Sequence, residues 1–262
     1  MPSMEYDEAA AEQLEAIYLG PDVTAQRQDT LQRLAIREGE RVLDIGSGPG
    51  FLAAAIAELT GPAGEVVGVD ISRQMVDRAC QRADRSWLTY RCADATALPF
   101  DDNVFDVIVS TQVAEYVPDI EMFASEVARV LKPGGRGLIL ATDWDALCWH
   151  SEDPDRMERI LVAFKSHCAD CNLPRTLAAR LRMAGLLVAD VSYFPIVNLD
   201  RYEGCYSEMI VPFIMAYVGA QETVSEVDLK AWADEQIALD ARGAHFFSTG
   251  RFNFRILKPD QA

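Results

Sequence analysis

The sequence predicts an α/β fold, a Rossmann-like, mostly parallel sheet with helices on both faces. Three observations carry this expectation. Short β-branched runs alternate with helical patterns between residues 41 and 142. The first run ends in a glycine-rich turn, "VLDIGSGPG" at 42–50. Half of the 262 residues are hydrophobic, which is enough for a sizeable core. Strands that alternate with helices at this spacing imply parallel pairing, and ligands of such sheets bind at the carboxyl ends of the strands.

Residues 5–19 and 22–37 mix charge with apolar positions at helical spacing, so residues 1–37 form a helical cap, free to pack on the sheet or cover a pocket. "RVLDIG" (41–46) is a short buried strand, and 51–59 is a helix. "EVVGVD" (65–70) is a strand, followed by a helix over 72–83 with Ser72 as its N-cap. Strands follow at 88–92 and 104–110, a helix at 119–131 and a strand at 136–142. Beyond 142 the alternation loosens. Helices are expected at 154–168 and 175–184 and a strand at 186–196; a helical insertion at 200–241 precedes the last strand, 244–258. No repeat, low-complexity tract or linker divides the chain. A single domain over 1–262 is expected, with a cofactor-binding half at 38–142 and a substrate half at 143–262.

The 24 basic and 41 acidic residues leave a formal charge of −17, which repels nucleic acid and anionic membranes and favours a small-molecule partner. No signal peptide and no run of eighteen apolar residues is present, so a cytoplasmic enzyme, monomer or homodimer, is expected. The six cysteines are read as reduced thiols. Cys168 and Cys171 have the spacing of half a zinc site or of a redox pair, yet no second pair completes a ligand set, so no metal is expected.

The glycine turn reads GxGxG through Gly46, Gly48 and Gly50, with Phe51 where the dinucleotide fingerprint has its third glycine. Asp44 lies beneath it. A carboxylate there repels a pyrophosphate and favours a ligand with ammonium and sulfonium charges, as S-adenosylmethionine has. Asp70, at the end of the second strand, can accept from both ribose hydroxyls. Asp94 can accept from an adenine amine, with Ala93 and Ala95 leaving room for the ring. Against these stand plainer readings: Asp70 and Asp94 as strand-end caps, Met75 as core, Arg27 as a solvated helix residue.

"VLDIGSGPG", "VVGVD", "ADATALPFDDNVFDVIVSTQVAEYVPD" and "EVARVLKPGGRGLIL", in this order over about residues 37–142, resemble the class I S-adenosylmethionine-dependent methyltransferases, close to the type 11 group with the ubiquinone and menaquinone methyltransferases. The resemblance implies a seven-stranded sheet whose last strand is antiparallel. It also implies S-adenosylmethionine as cofactor and S-adenosylhomocysteine as product. The methionine part would lie over Gly46, Ser47 and Gly48, the ribose on Asp70, the adenine against Ile71 and Met75 with Asp94 and Ala95 at its edge, and Thr111 and Gln112 past the fourth strand. Tyr18 and Arg27 would close over the methionine carboxylate.

Methyl transfer needs alignment and exclusion of water more than a dedicated side chain. Where the acceptor must lose a proton, His150, Asp143, Glu115 and Tyr116 are candidate bases, with His150 first to test and a surface histidine its plainer reading. "STQV" after the fourth strand lacks the motif for methylating adenine or glutamine amides. Tyr116, Trp144, Phe213 and Tyr217 are expected to face an apolar or aromatic acceptor, the last two from the insertion, although such stripes are also ordinary core. A non-catalytic binder, a nucleotide-dependent oxidoreductase and a thiolate-assisted arsenite methyltransferase are the other readings.

Overall fold

Val42, Leu43 and Ile45 are wholly buried on both faces of the first strand, β1 (Arg41–Ile45), as a central strand covered on both sides requires. A computed structural model describes residues 8–260, and side chains from Glu12 on; residues 5–7 of the first expected helix lie outside the described residues. Two helices, α1 (Glu8–Leu19) and α2 (Pro21–Leu34), precede β1. Then follow α3 (Phe51–Thr60), β2 (Glu65–Asp70), α4 (Arg73–Arg82), β3 (Leu88–Cys92), β4 (Phe105–Thr111), α5 (Ile120–Val130) and β5 (Leu131–Thr142). The second half holds β6 (Cys148–Trp149), α6 (Pro154–Lys165), α7 (Pro174–Met183), β7 (Leu187–Asn198), α8 (Tyr206–Gly219), α9 (Glu226–Ala241) and β8 (Phe247–Leu257).

The strand order is β3-β2-β1-β4-β5-β8, with β7 also on β8. The first five strands pair in parallel, and β8 is antiparallel to β5 and β7, so the last strand has the expected direction. The sheet has eight strands rather than seven. The extra one, β6, pairs with Phe247 and Ser248 on the edge of β8 that β5 leaves at the Thr142–Arg251 pair. β5 also starts earlier than expected: Leu131 already pairs with Phe105, and the register resumes at Arg136 and Val107 after the Lys-Pro-Gly-Gly stretch. Ser72 caps α4 as expected, its hydroxyl accepting from the Met75 amide at 3.4 Å.

Three apolar clusters hold these layers. Phe123 and Val127 of α5 with Leu177 and Leu181 of α7 cover one face of the sheet. Leu52, Ala53 and Ile56 of α3 with Leu34 of α2 cover the other. The third gathers Trp144, Trp149, Phe164, Ile210, Ile214 and Trp232, so the insertion is anchored by its own core. Trp232 is wholly buried and lies 5.2 Å from the Trp149 ring, edge on. Trp232→Ala is expected to lower unfolding stability by about 3 to 5 kcal/mol, the range for a large aromatic removed from a core, as read by denaturant titration.

Candidate functional site

β1 lies between β2 and β4, where the winding of the sheet reverses, and such a point leaves a crevice at the carboxyl ends of the strands. The glycine turn fills its floor. The amides of Gly46 and Ser47 both donate to Val69 O (2.7 and 2.9 Å), Gly48 N donates to Asp70 Oδ2 (2.9 Å), and Gly50 N donates to Ser47 O (3.0 Å). The turn thus engages these amides internally, unlike a phosphate-binding loop, which aims its amides at the ligand. All three glycines have left-handed φ, +72°, +51° and +88°. A methyl on Gly46 would meet Val113 at 2.0 Å and one on Gly50 the Tyr90 hydroxyl at 2.4 Å. On Gly48 its nearest neighbour would be Tyr18, at an ordinary 3.7 Å, so only the backbone strain opposes it.

Two acids lie beneath. Asp44 is buried with Oδ2 unpartnered, and burial, reinforced by the charge of Asp70, pushes its carboxyl up to about 7. Asp70 accepts from Gly48 N and, at 2.8 Å on Oδ1, from Ser72 N; burial raises this acid too, against the pull of those amides. A carboxylate has about four lone-pair sites, so capping the turn leaves acceptor capacity for hydroxyls. Ile71 is 66% exposed beside it. Met75 is buried, which is the core reading rather than a surface open to an adenine. Asp94 is exposed and its Oδ1 accepts from the Thr96 amide and hydroxyl (2.8 and 2.7 Å), a turn cap as the plainer reading had it. Ala93 and Ala95 pack on the main core, and Ala93 N donates to Asp70 O at 2.9 Å.

The crevice is walled by Tyr18, Gln26 and Arg27 on one side and by Asp44, Gly46, Ser47, Phe51, Thr111 and Gln112 on the other. Arg27 donates to Tyr18 O at 3.1 Å and lies 5.6 Å from the centre of the Phe51 ring, so it is a wall residue and not a solvated one; burial lowers its guanidinium. Glu15 of α1 pairs with Arg78 and Arg82 of α4 (3.1 and 2.5 Å), and Arg82 reaches Pro49 O, which ties the N-terminal helices across the turn. Gln112 has φ +57°, unusual for a non-glycine, and places its side chain 3.4 Å from Thr142 Oγ1. Phe51 and Gln26 were missed as wall residues. The place of Phe51 at the third-glycine position was the available signal, whereas Gln26 had none.

The expected acceptor side is divided. His150 is exposed and lines a separate cavity of about 360 Å³ with Trp144, Trp149, Met157 and Leu161. Phe213 and Tyr217 line neither cavity; their rings stand edge on to Phe164 (5.9 and 6.0 Å) within the third core. The expectation of an acceptor-facing stripe is corrected there, because aromatic edges and faces satisfy one another. Tyr116 lies 5.7 Å from His167, and burial lowers that imidazole to about 4. Glu115 is wholly buried behind the ends of β4 and β5: Oε1 accepts from Thr142 N at 3.1 Å, Oε2 is unpartnered, and burial pushes the carboxyl up to about 7.

Residues 43–139 match the methyltransferase domain family. The ubiquinone/menaquinone biosynthesis C-methyltransferase UbiE of Teredinibacter turnerae is 41% identical over 115 residues, 42% of this chain and 46% of that protein. The demethylmenaquinone methyltransferase of Anoxybacillus flavithermus is 35% identical over 126 residues, 47% of this chain and 53% of that protein. The chain thus spans about half the length of the curated relatives it matches. Among solved structures, Haemonchus contortus phosphoethanolamine N-methyltransferase 2, in complex with S-adenosylmethionine, superposes with a TM-score of 0.64 at 21% identity over 98% of this chain and 58% of that one. These likenesses extend the shared fold well beyond the matched domain. No helix among the described residues is long and apolar enough to cross a membrane.

The turn geometry sorts its glycines. Gly48→Ala is expected to cost about 1 to 2 kcal/mol, the strain of a left-handed residue alone. Gly46→Ala carries the same strain plus the Val113 clash and is expected to cost clearly more, as urea unfolding of the two variants reads directly.

Proposed function

We propose that the chain is an enzyme that transfers a methyl group from S-adenosylmethionine to a small-molecule acceptor with apolar or aromatic surface. The observation that carries this reading is the buried carboxylate of Asp44, unpartnered at one oxygen, under a turn whose amides are engaged internally. Such a floor suits a cationic ligand and disfavours a pyrophosphate. This also weighs against a nucleotide-dependent oxidoreductase.

Gly46, Ser47 and Gly48 would hold the methionine part beneath Tyr18 and Arg27, and Asp70 the ribose. Ile71 would lie on the adenine, Asp94 and Ala95 at its edge, and Thr111 and Gln112 beside the reacting sulfur. When bound, the cofactor supplies a methyl group on a positively charged sulfur. The chain's own residues orient the acceptor and keep water out with α1 and α2. We assign Glu115 as a candidate base through Oε2, on that unpartnered oxygen behind the ends of β4 and β5 and on a carboxyl that burial raises to about 7. His150 lines the other cavity, away from the glycine turn. The acceptor of the quinone methyltransferases does not transfer with the matched segment, because the β6–β8 half lies outside it.

A thiolate route to arsenite has little support. Burial raises the thiols of Cys168 and Cys171, and no group of metal-holding side chains occurs among the described residues. A non-catalytic binder would share the cofactor site and lack turnover, so radiolabelled methyl transfer to an acceptor library separates the two.

Asp44 sets a pH signature. In the free protein its carboxyl is protonated below about 7, and a cation beside it favours the ionised form, so binding releases a proton. Affinity for S-adenosylmethionine is expected to rise as pH increases from 5.5 to 7.5 and then level off, while Asp44→Asn flattens the profile. Calorimetry in two buffers of different ionisation enthalpy measures the proton directly. Asp70→Ala is expected to weaken binding by about 1.5 to 3 kcal/mol, the scale for hydrogen bonds to a charged group; an unchanged affinity would remove Asp70 from the ribose.

A further inference from the structure

β8 is rich in aromatic residues, yet alternate positions on one face, Thr249, Arg251 and Asn253, are polar and wholly or almost wholly buried. Each leaves polar atoms without a partner: Thr249 Oγ1, Arg251 Nε and Nη2, and Asn253 Oδ1. Gln26 of α2 accepts from Arg251 Nη1, and Asn253 Nδ2 donates to Asp29 of α2 at 3.4 Å, so this face looks onto α2. Such atoms are costly to bury unmatched, and their gathering on one strand face points to something that matches them.

Arg251 is the informative member. Its guanidinium is fully buried and forms no ion pair among the described residues. Nη1 is held by Gln26, and Tyr206 packs against the group, its ring 4.9 Å from the central carbon and its hydroxyl in hydrogen-bonding range of the guanidinium. The two unpartnered nitrogens, Nε and Nη2, are the side-on pair of the guanidinium. Their N–H bonds run parallel and match the two oxygens of a carboxylate. The charge of Glu115 is felt at a distance only, and that acid titrates near neutrality, so it leaves the guanidinium without a full counter-ion.

The position is as telling as the chemistry. Arg251 pairs with Thr142, the last residue of β5, at the carboxyl edge where the crevice lies. Gln26 both walls the crevice and holds Nη1, and Gln112, another wall residue, reaches Thr142. One side chain therefore stands between the guanidinium and the proposed methyl donor.

We propose that the polar face of β8 is the acceptor subsite and that Arg251 grips a carboxylate of the acceptor through Nε and Nη2. The inference rests on the methyl-transfer reading above and narrows its acceptor to an organic acid, with the apolar part against Tyr206 and the reacting atom toward Glu115. A chain of net charge −17 has little other reason to draw a small anion inward; a single buried guanidinium behind the cofactor wall supplies one.

The test uses the whole chain saturated with S-adenosylhomocysteine. The probes are benzoate, 4-hydroxybenzoate, cinnamate and octanoate, each beside its primary amide. At least one acid is expected to bind ten-fold or more tightly than its amide by calorimetry, and Arg251→Lys, which keeps the charge and loses the fork, is expected to cost that acid ten-fold or more. S-adenosylhomocysteine affinity is expected to be unchanged in this variant. If no acid outbinds its amide on the wild-type chain, the subsite is overturned, whatever the folding of any variant. The same holds if Arg251→Lys, folded by thermal melt, binds the acid as the wild type does; the polar face then holds water alone. Failure of the wild type to bind S-adenosylhomocysteine would instead overturn the methyl-transfer reading, so the two failures are distinct.

Discussion

The carboxylate of Asp70 is the constraint on which the rest of the site depends. By accepting from Gly48 N and Ser72 N it joins the turn after β1 to the turn after β2, two segments that the parallel pairing brings side by side. The left-handed φ of Gly46, Gly48 and Gly50 costs little because glycine has no Cβ, and that bond with the two to Val69 O fixes the path of the loop. Gly48 is left beneath Tyr18, and Ser72 is left in place to cap α4. Without that carboxylate the Gly48 and Ser72 amides lose their common acceptor.

The same bond explains why Asp44 is so perturbed. Two carboxyl groups share a desolvated region, and the backbone amides stabilise the charge on Asp70, so the proton of the pair resides by preference on Asp44. A buried acid whose carboxyl is raised to about 7 gives up its proton when a positive charge comes beside it. The hydrogen bonds that Asp70 accepts from Gly48 N and Ser72 N fix the turn above Asp44.

The first half of the fold was legible because each element there obeys a single rule. Val66, Val67 and Val69 read as a strand buried on both faces, Ser72 as a cap, and the GxGxG turn as a close approach of backbone to something else. Asp94 and Met75 show the limit of that reading. A strand-end acid caps a turn as readily as it binds a ligand, and a methionine at helical spacing is as readily core, so residue type alone leaves the two uses degenerate. In the second half the apolar periodicity of α8 located a helix correctly and said nothing of which neighbour takes its face; Phe164 does, and the crevice does not. β6 was invisible because two residues carry no pattern. Arg251 left only the oddity of a charge inside an aromatic strand.

The matched segment ends at residue 139, three residues before β5 ends, and β8 pairs with β5 along the edge that β4 leaves free. A residue on β8 thus takes its placement from the pairing with β5. Thr142 gives its amide to Glu115 and its cross-strand position to Arg251, so a buried acid and a buried guanidinium are both anchored at one residue, three positions past the matched segment. Neither satisfies the other by direct contact. Glu115 takes the Thr142 amide on one oxygen and Arg251 holds Gln26 through one nitrogen, and each keeps unpartnered polar atoms in the interior.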